Sequence, residues 1–386
     1  MAPMTVPFND LRPRFAADPA GYRAAVERVF ASARYVLGPE VEAFETEFAD
    51  YLGIGHVVGV ANGTDAIELA LRAAGIGPGD EVITVAHTAV ATVCAIERAG
   101  ARPVFVDVRA DDYTIDPRAI PAAITRRTRA IAAVHLYGQP AKLKELRAVA
   151  DRNRLLLIED CAQAHGARYG GRLVGTFGHL AAFSFYPTKN LGAFGDGGAV
   201  VTSDPALAGR VRRLRNYGQA DRYRHEDAGG FNSRLDELQA ALLRVGLRRL
   251  ADDNAERQRL ADRYLSRLRV PALPCSMPGT DHVYHLFVVR DPNREAFRDG
   301  LRRRGVETLV HYPIPVHLQP AYAHLGGKPG DLPETERAAR EVVSLPLYPG
   351  LTNEQQDAVI AAVNAAAVEE RGTAKGRTAA RVSVPS

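Results

Sequence analysis

Of the 49 Lys and Arg residues, only five are lysines: Lys142, Lys144, Lys189, Lys328 and Lys375. Lys189 lies in the run Phe183-Ser184-Phe185-Tyr186-Pro187-Thr188-Lys189-Asn190-Leu191-Gly192, ahead of Gly195-Asp196-Gly197-Gly198. Small and apolar neighbours withdraw water from an ammonium group and lower its pKa. A neutral amine can then form a Schiff base with a carbonyl. The alternative is a lysine on a surface loop. A second group is Asp160, in Ile158-Glu159-Asp160-Cys161-Ala162-Gln163. Leu155–Ile158 is apolar enough for a central strand, so Asp160 falls at its carboxyl end, where open α/β sheets bind ligands. A carboxylate there needs a cationic or hydrogen-bonded partner. A protonated pyridine nitrogen would supply one; capping of the next turn is the other reading. Cys161 reads as a small buried filler.

A third segment, Asn62-Gly63-Thr64-Asp65-Ala66, follows a short strand and opens a helix. Unpaired N–H groups and the helix dipole favour an anion there, and Thr64 adds a hydroxyl. An N-cap turn, with Thr64 or Asp65 as the cap, explains the same residues. Three further polar clusters fall in or beside expected loops: Asn216-Tyr217-Gly218, Phe231-Asn232-Ser233-Arg234, and His311-Tyr312-Pro313-Ile314-Pro315-Val316-His317. Loops on a scaffold often carry binding groups, but each cluster is weak alone. His135 and His179 read as structural.

These segments need a scaffold, and the hydropathy pattern supplies one. Short β-rich runs alternate with amphipathic helices to about residue 216. Strands are expected at His56–Val60, Val82–Val85, Val104–Val108, Ala130–Leu136, Leu155–Glu159, Ala181–Tyr186 and Ala199–Thr202, with helices such as Thr64–Ala74 and Ala89–Arg98 between them. The pattern implies an α/β fold: a mostly parallel sheet flanked by helices. A long helix from Leu235 to Leu268 is expected to bridge to a second unit. That unit has strands at His285–Val289 and Leu309–His311 and helices at Arg294–Arg304, Leu332–Val343 and Asn353–Val368. The expected organisation is a large domain at 1–250, a smaller α+β domain at 251–370, and a disordered basic tail at 371–386.

Composition narrows the function. The 386 residues are 46% hydrophobic and 24% charged, ordinary globular values. Arg371, Lys375, Arg377 and Arg381 equal the whole net charge of +4. The rest is balanced, which argues against a nucleic-acid partner. No apolar run is long enough to span a membrane. Three scattered cysteines give neither a disulfide framework nor a metal site, and no secretory signal is visible; a cytoplasmic protein is expected. The glycines after Lys189 lead into a strand and not into a helix, so they are not a dinucleotide fingerprint.

Taken together and in this order, NGTDA, EDCAQAHGA, SFYPTKNLGAFGDGGA, FNSRLDELQAA and HYPIPVHLQPAY resemble the DegT–StrS sugar aminotransferases, which are fold type I pyridoxal-phosphate enzymes. The resemblance covers residues 5 to 368. Its nearest subgroup aminates C3 of nucleotide-linked 3-keto-6-deoxyhexoses. The resemblance implies a large sheet-based domain with a smaller C-terminal one, and transamination from L-glutamate to a keto-sugar with pyridoxamine phosphate as the amine-carrying form. Lys189 is then the Schiff-base lysine, Asp160 the partner of the pyridine nitrogen, and Gln163 the contact of the ring hydroxyl. Gly63, Thr64 and Ser184 hold the phosphate, and Asn232 reaches the phosphate of a partner subunit in a homodimer with shared sites. His311, Tyr312 and His317 face the sugar nucleotide, with Tyr217 and Arg234 beside it; Arg222 and Arg224 are other candidates for the diphosphate. Many relatives stack an aromatic ring on the cofactor where this chain has Ala89; either His87 covers the ring here or small groups pack that face. Amination at C4, or a non-catalytic regulator that binds a sugar nucleotide, are the competing readings. A dehydratase of the same family is set aside because it has histidine in place of the lysine.

Overall fold

The computed structural model describes residues 5–382, and side chains as far as residue 368. Every strand expected before residue 216 is present, within two residues at most ends. They are β1 His56–Val60, β2 Glu81–Val85, β3 Arg102–Val106, β4 Thr128–Val134, β5 Leu156–Asp160, β6 Leu180–Ser184 and β7 Gly198–Thr202. They form one sheet in the order β1-β7-β6-β5-β4-β2-β3. From β6 to β3 all neighbours run parallel. Only β7 is reversed, antiparallel to both β6 and β1. The carboxyl ends of β1, β2, β4, β5 and β6 therefore share one edge.

Successive side chains point to opposite faces. Ile83, Leu157 and Phe183 pack with Phe44 and Phe48 on one side. Val82, Ile158 and Ala182 pack with Ile67, Leu71 and Ile96 on the other. Burial on both faces is why the strands read as continuous apolar runs. Val6 joins Leu260, Tyr264, Phe287, Phe297, Val343 and Val363 in a separate core. We read this as the core of the smaller C-terminal unit.

Four expectations need correction. The bridging helix is two helices, Glu237–Leu247 and Leu250–Arg267; Gly246, a poor helix former, precedes the break. Leu309–His311 makes only a single bridge, Leu309 to Ser344. The helix expected at Leu332–Val343 stops at Glu341, because the buried run Val342–Leu345 pairs with Phe287–Arg290. Tertiary pairing of β-branched residues overrides the helical pattern there. Finally, the helix Asn353–Val382 continues into the stretch expected to be a disordered tail. Its alanines and arginines are strong helix formers; residues 383–386 lie outside the described residues.

One buried acid secures the strand that ends at Asp160. Glu159 points to the opposite face and is fully buried. His135 Nδ1 accepts from Ala141 N–H at 2.9 Å, so Nε2 carries the proton and donates to Glu159 at 3.1 Å. The N–H groups of Gly175, Phe177 and Gly178 add donors at 2.8, 2.8 and 2.6 Å. Burial alone would raise this carboxyl's pKa, but His135 and the backbone donors hold it below the ordinary value. Glu159→Gln is expected to lower the unfolding free energy in urea by about 2–3 kcal/mol at neutral pH. A depressed folded pKa stabilises only while the group is ionised. The wild-type advantage should therefore shrink as the pH falls through that pKa. Equal urea midpoints at pH 7 would remove this role.

Candidate active site

The first element at the shared edge is the helix Gly63–Ala73. Its N-cap is Asn62, not Thr64 or Asp65: Asn62 alone has the extended backbone of a cap, and its Oδ1 accepts from Asp65 N–H at 2.8 Å. Asn62 O accepts from Ala66 N–H at 3.0 Å. The amides of Gly63 and Thr64 thus have no partner within the helix. A Cβ added to Gly63 would lie 2.5 Å from Ser184 Cβ. Glycine is what lets the end of β1 press against the end of β6. Two free amides, the helix dipole and the hydroxyls of Thr64 and Ser184 make an anion cradle.

Asp160 ends β5 beside it. Thr92 Oγ1 donates to Oδ2 at 2.8 Å, and Ala162 N–H to Oδ1 at 3.1 Å. Thr92 sits on the helix Val90–Arg98 that follows β2, and its hydroxyl is 3.0 Å from that of Thr88. The carboxylate is thereby held in one orientation, with 5% of the residue exposed. Gln163 Oε1 accepts from Tyr137 N–H at 2.6 Å, and its amide nitrogen donates to the Tyr312 hydroxyl at 3.1 Å. The Tyr137 hydroxyl donates to His311 O and accepts from His87 Nε2 at 2.9 Å.

Lys189 lies in the loop after β6 and is half-buried. Its N–H donates to Tyr186 O at 2.8 Å. Burial pushes its ammonium pKa down to about 8, against the pull of the Asp160 charge. Burial and the Lys189 charge also hold His311 at about 4, so its imidazole is neutral near pH 7. His311 Nδ1 meets Ser344 Oγ at 2.8 Å.

The structure thus brings Gly63, Thr64, Asp160, Gln163, Ser184, Lys189, His311 and Tyr312 to one edge. Two expected residues are corrected. His87 has no exposed surface and sits in the Tyr113–Tyr137 cluster, so its ring cannot cover a cofactor; half-exposed Ala89 remains at that position. His317 is 1% exposed and turned to Glu336 at 3.3 Å, because Val316 N–H is tied to Ala86 O. It cannot face a sugar. Asn232, Tyr217 and Arg234 share a paired patch: Asn232 bridges to Asn216, and Arg234 bonds its side chain at 3.3 Å. Among the described residues none of the three is hydrogen-bonded to Lys189, Asp160 or Gln163. Ser233 ties the patch to its own chain, donating to Asp65 at 2.8 Å. Arg222 and Arg224 flank the exposed tip of a hairpin, Arg222 over the Tyr223 ring. His135 and His179 are structural, the latter accepting from Leu157 N–H.

Sequence reasoning missed Thr92 and Tyr137. Tyr137 had a signal, since it lies just past the carboxyl end of β4 at the binding edge. Thr92 had only its spacing of four from Thr88 on the following helix.

An anion cradle, a fixed carboxylate, an amide and a desolvated amine fit pyridoxal phosphate. Comparisons with known proteins agree. The chain is 54% identical over 361 residues to the dTDP-3-amino-3,4,6-trideoxy-alpha-D-glucose transaminase of Streptomyces venezuelae, covering 93% of this chain and 95% of that one. It is 53% identical over 367 residues to the erythromycin biosynthesis sensory transduction protein EryC1 of Saccharopolyspora erythraea, covering 94% and 100%. The crystal structure of S. venezuelae DesV in complex with a ketimine intermediate superimposes with a TM-score of 0.92 at 53% identity, covering 94% of this chain and 98% of that one. A model of the DegT/DnrJ/EryC1/StrS aminotransferase family matches residues 19–364, and the chain belongs to that family of pyridoxal-phosphate enzymes.

Proposed function

We propose that this enzyme moves an amino group from L-glutamate to the C3 keto carbon of a nucleotide-linked keto-deoxysugar. One site serving two substrates in turn implies ping-pong kinetics. The observation that carries the reading is the pairing of a near-neutral amine with a fixed carboxylate beside an anion cradle. When bound, pyridoxal phosphate supplies an electron sink for the carbon that gains or loses the amine. Gly63, Thr64 and Ser184 bind its phosphate. Asp160 holds a proton on the ring nitrogen, and Gln163 orients the ring from its hydroxyl side. Lys189 carries protons to and from the reacting carbons, a general acid–base task suited to an amine titrating near 8. Neutral His311 and Tyr312 wall the sugar side. The choice of C3 follows the names of the transaminase relatives; C4 is the competing product, and NMR of the aminated sugar separates them. A purely regulatory role, as in the name of the erythromycin relative, leaves Lys189 and Asp160 without a task. The unpaired cysteines suit the reducing cytoplasm.

The working unit in this reading is a homodimer. Phe30, Tyr35, Val36, Tyr186 and Phe194 are exposed on the single chain, apolar surface of the kind a partner covers. Asn232 is exposed too and reaches the partner's phosphate, with Tyr217 and Arg234 toward the sugar nucleotide.

Four measurements test the catalytic reading and the shared site. In cofactor-free protein the Lys189 amine should titrate near pH 8 in a labelling experiment, and Asp160→Asn should move that midpoint lower. Lys189→Ala should fold normally, lack the visible absorbance of the loaded enzyme and show no turnover; normal turnover would sink the assignment. Asp160→Asn should still take up cofactor but turn over at least about a hundredfold more slowly, because two pKa units lost at the ring nitrogen amount to that factor. For the shared site, inactive Lys189→Ala subunits are mixed with inactive Asn232→Trp subunits after both are shown to be dimeric. Restored activity marks sites built from two chains; no recovery places Asn232 in its own.

A further inference from the structure

Residues before the first helix are stitched to the C-terminal unit. Val6 N–H donates to Gly305 O at 2.8 Å, and Val6 O accepts from Glu307 N–H at 3.1 Å. Phe8 N–H donates to Glu307 Oε2 at 3.2 Å. The Phe8 ring lies 5.7 Å from that of His311, on the wall of the site. A few residues later, in the short helix Arg12–Ala17, the chain turns to the loop that carries Lys189. Arg14 Nη1 donates to Pro187 O at 2.6 Å and to Gly192 O at 3.1 Å. Its Nη2 donates to Lys189 O at 3.0 Å. One planar cation thus gathers three carbonyls that bracket Lys189. Gly192 leaves the room for it: a Cβ there would lie 2.5 Å from Arg14 Nη1.

Other contacts hold the rest of the loop, with Leu191 and Ala193 buried in the core. Lys189 N–H bonds Tyr186 O, and Ala193 N–H bonds Phe185 O at 2.7 Å. On the downstream side Asn190 donates to Asn254 Oδ1 at 2.8 Å and Val283 O at 3.0 Å. Arg14 closes the remaining side. A guanidinium suits this task because its donors lie in one rigid plane and cannot rotate independently, as those of an ammonium can.

We propose that Arg14 is a positioning residue for Lys189. It sets the backbone from which the amine is presented, and the strap from Val6 to Arg14 keeps the lysine loop in one frame with the His311 wall. The inference rests on the role of Lys189 proposed above. The Arg14 guanidinium is engaged by the three loop carbonyls, so its loss should show in rate and in loop order, not in sugar affinity.

The test uses the full chain with Arg14→Ala, Arg14→Gln and Arg14→Lys. In cofactor-free protein, amide hydrogen exchange at residues 186–193 should quicken in the Ala and Gln variants while β5 and β6 stay protected. In loaded enzyme both half-reactions should slow by about tenfold to a hundredfold in single turnover, the cost of misplacing a reacting group by up to an ångström. KM for the sugar nucleotide should be almost unchanged. Arg14→Lys should fall between, and added ethylguanidinium should restore part of the Arg14→Ala rate. Wild-type half-reaction rates in Arg14→Ala, or slow rates with wild-type loop protection, would overturn the proposal. If the Ala and Gln variants do not fold, Arg14→Lys decides: full rates and full protection there refute it. Lys189→Ala in parallel separates the two readings. Turnover without the lysine removes the parent reading, whereas a dead Lys189→Ala beside a normal Arg14→Ala removes only this one.

Discussion

A half-buried lysine amine and a buried aspartate carboxylate at one edge of the sheet set the terms for the rest of the molecule. Left to burial alone, Lys189 would lose its proton readily. Left to Asp160 alone, it would keep it. The compromise near 8 lets one amine both accept and give protons close to neutral pH. It holds only if the Asp160 carboxylate stays in place. Thr92 and the Ala162 amide fix it by donating to its two oxygens. Glu159 on the reverse face then anchors the strand end that carries Asp160, through donors from three loop amides and His135.

The second requirement is that the segments carrying Leu286 and His311 keep a fixed geometry against the sheet edge. Tyr137 is the hub. Its amide holds Gln163, its hydroxyl holds the His311 carbonyl, and its carbonyl accepts from Leu286 N–H. Gln163 completes the link through the Tyr312 hydroxyl. His87, enclosed beside Tyr137, serves this hub and not the cofactor. Burial holds its pKa at about 4, so it sits as a neutral donor to the tyrosine oxygen. A charged imidazole there would have only the Asp107 charge to offset its lost hydration, and burial outweighs it. The N-terminal strap adds a connection on the other side of the lysine loop.

Much of this was legible in the residues themselves. Strands buried on both faces announce themselves by continuous apolar runs, and ligand groups at carboxyl ends of strands follow from the fold class. Lys189, Asp160, Gly63 and Thr64 all lay within a few residues of such ends, so local sequence was enough to find them; Ser184 came only with the family resemblance. What failed was local pattern where tertiary pairing decided. Val342 and Val343 fit a helical repeat until Phe287–Arg290 paired with them. His87 and His317 had the right chemistry and a plausible place, but which way a side chain turns depends on what packs behind it.

The sequence by itself determined the α/β class, the order of elements and the set of reactive groups, because these follow from periodicity, glycine placement and residue chemistry along a short stretch of chain. Tertiary structure alone decided how those groups are held. Thr92 is 68 residues from Asp160, and Arg14 is 175 from Lys189. Hydrogen bonds that span such separations leave no periodic trace, since they depend on how elements dock and not on what adjoins them in the chain. The same holds for the lysine's acidity: only the packed interior sets how much water the amine loses.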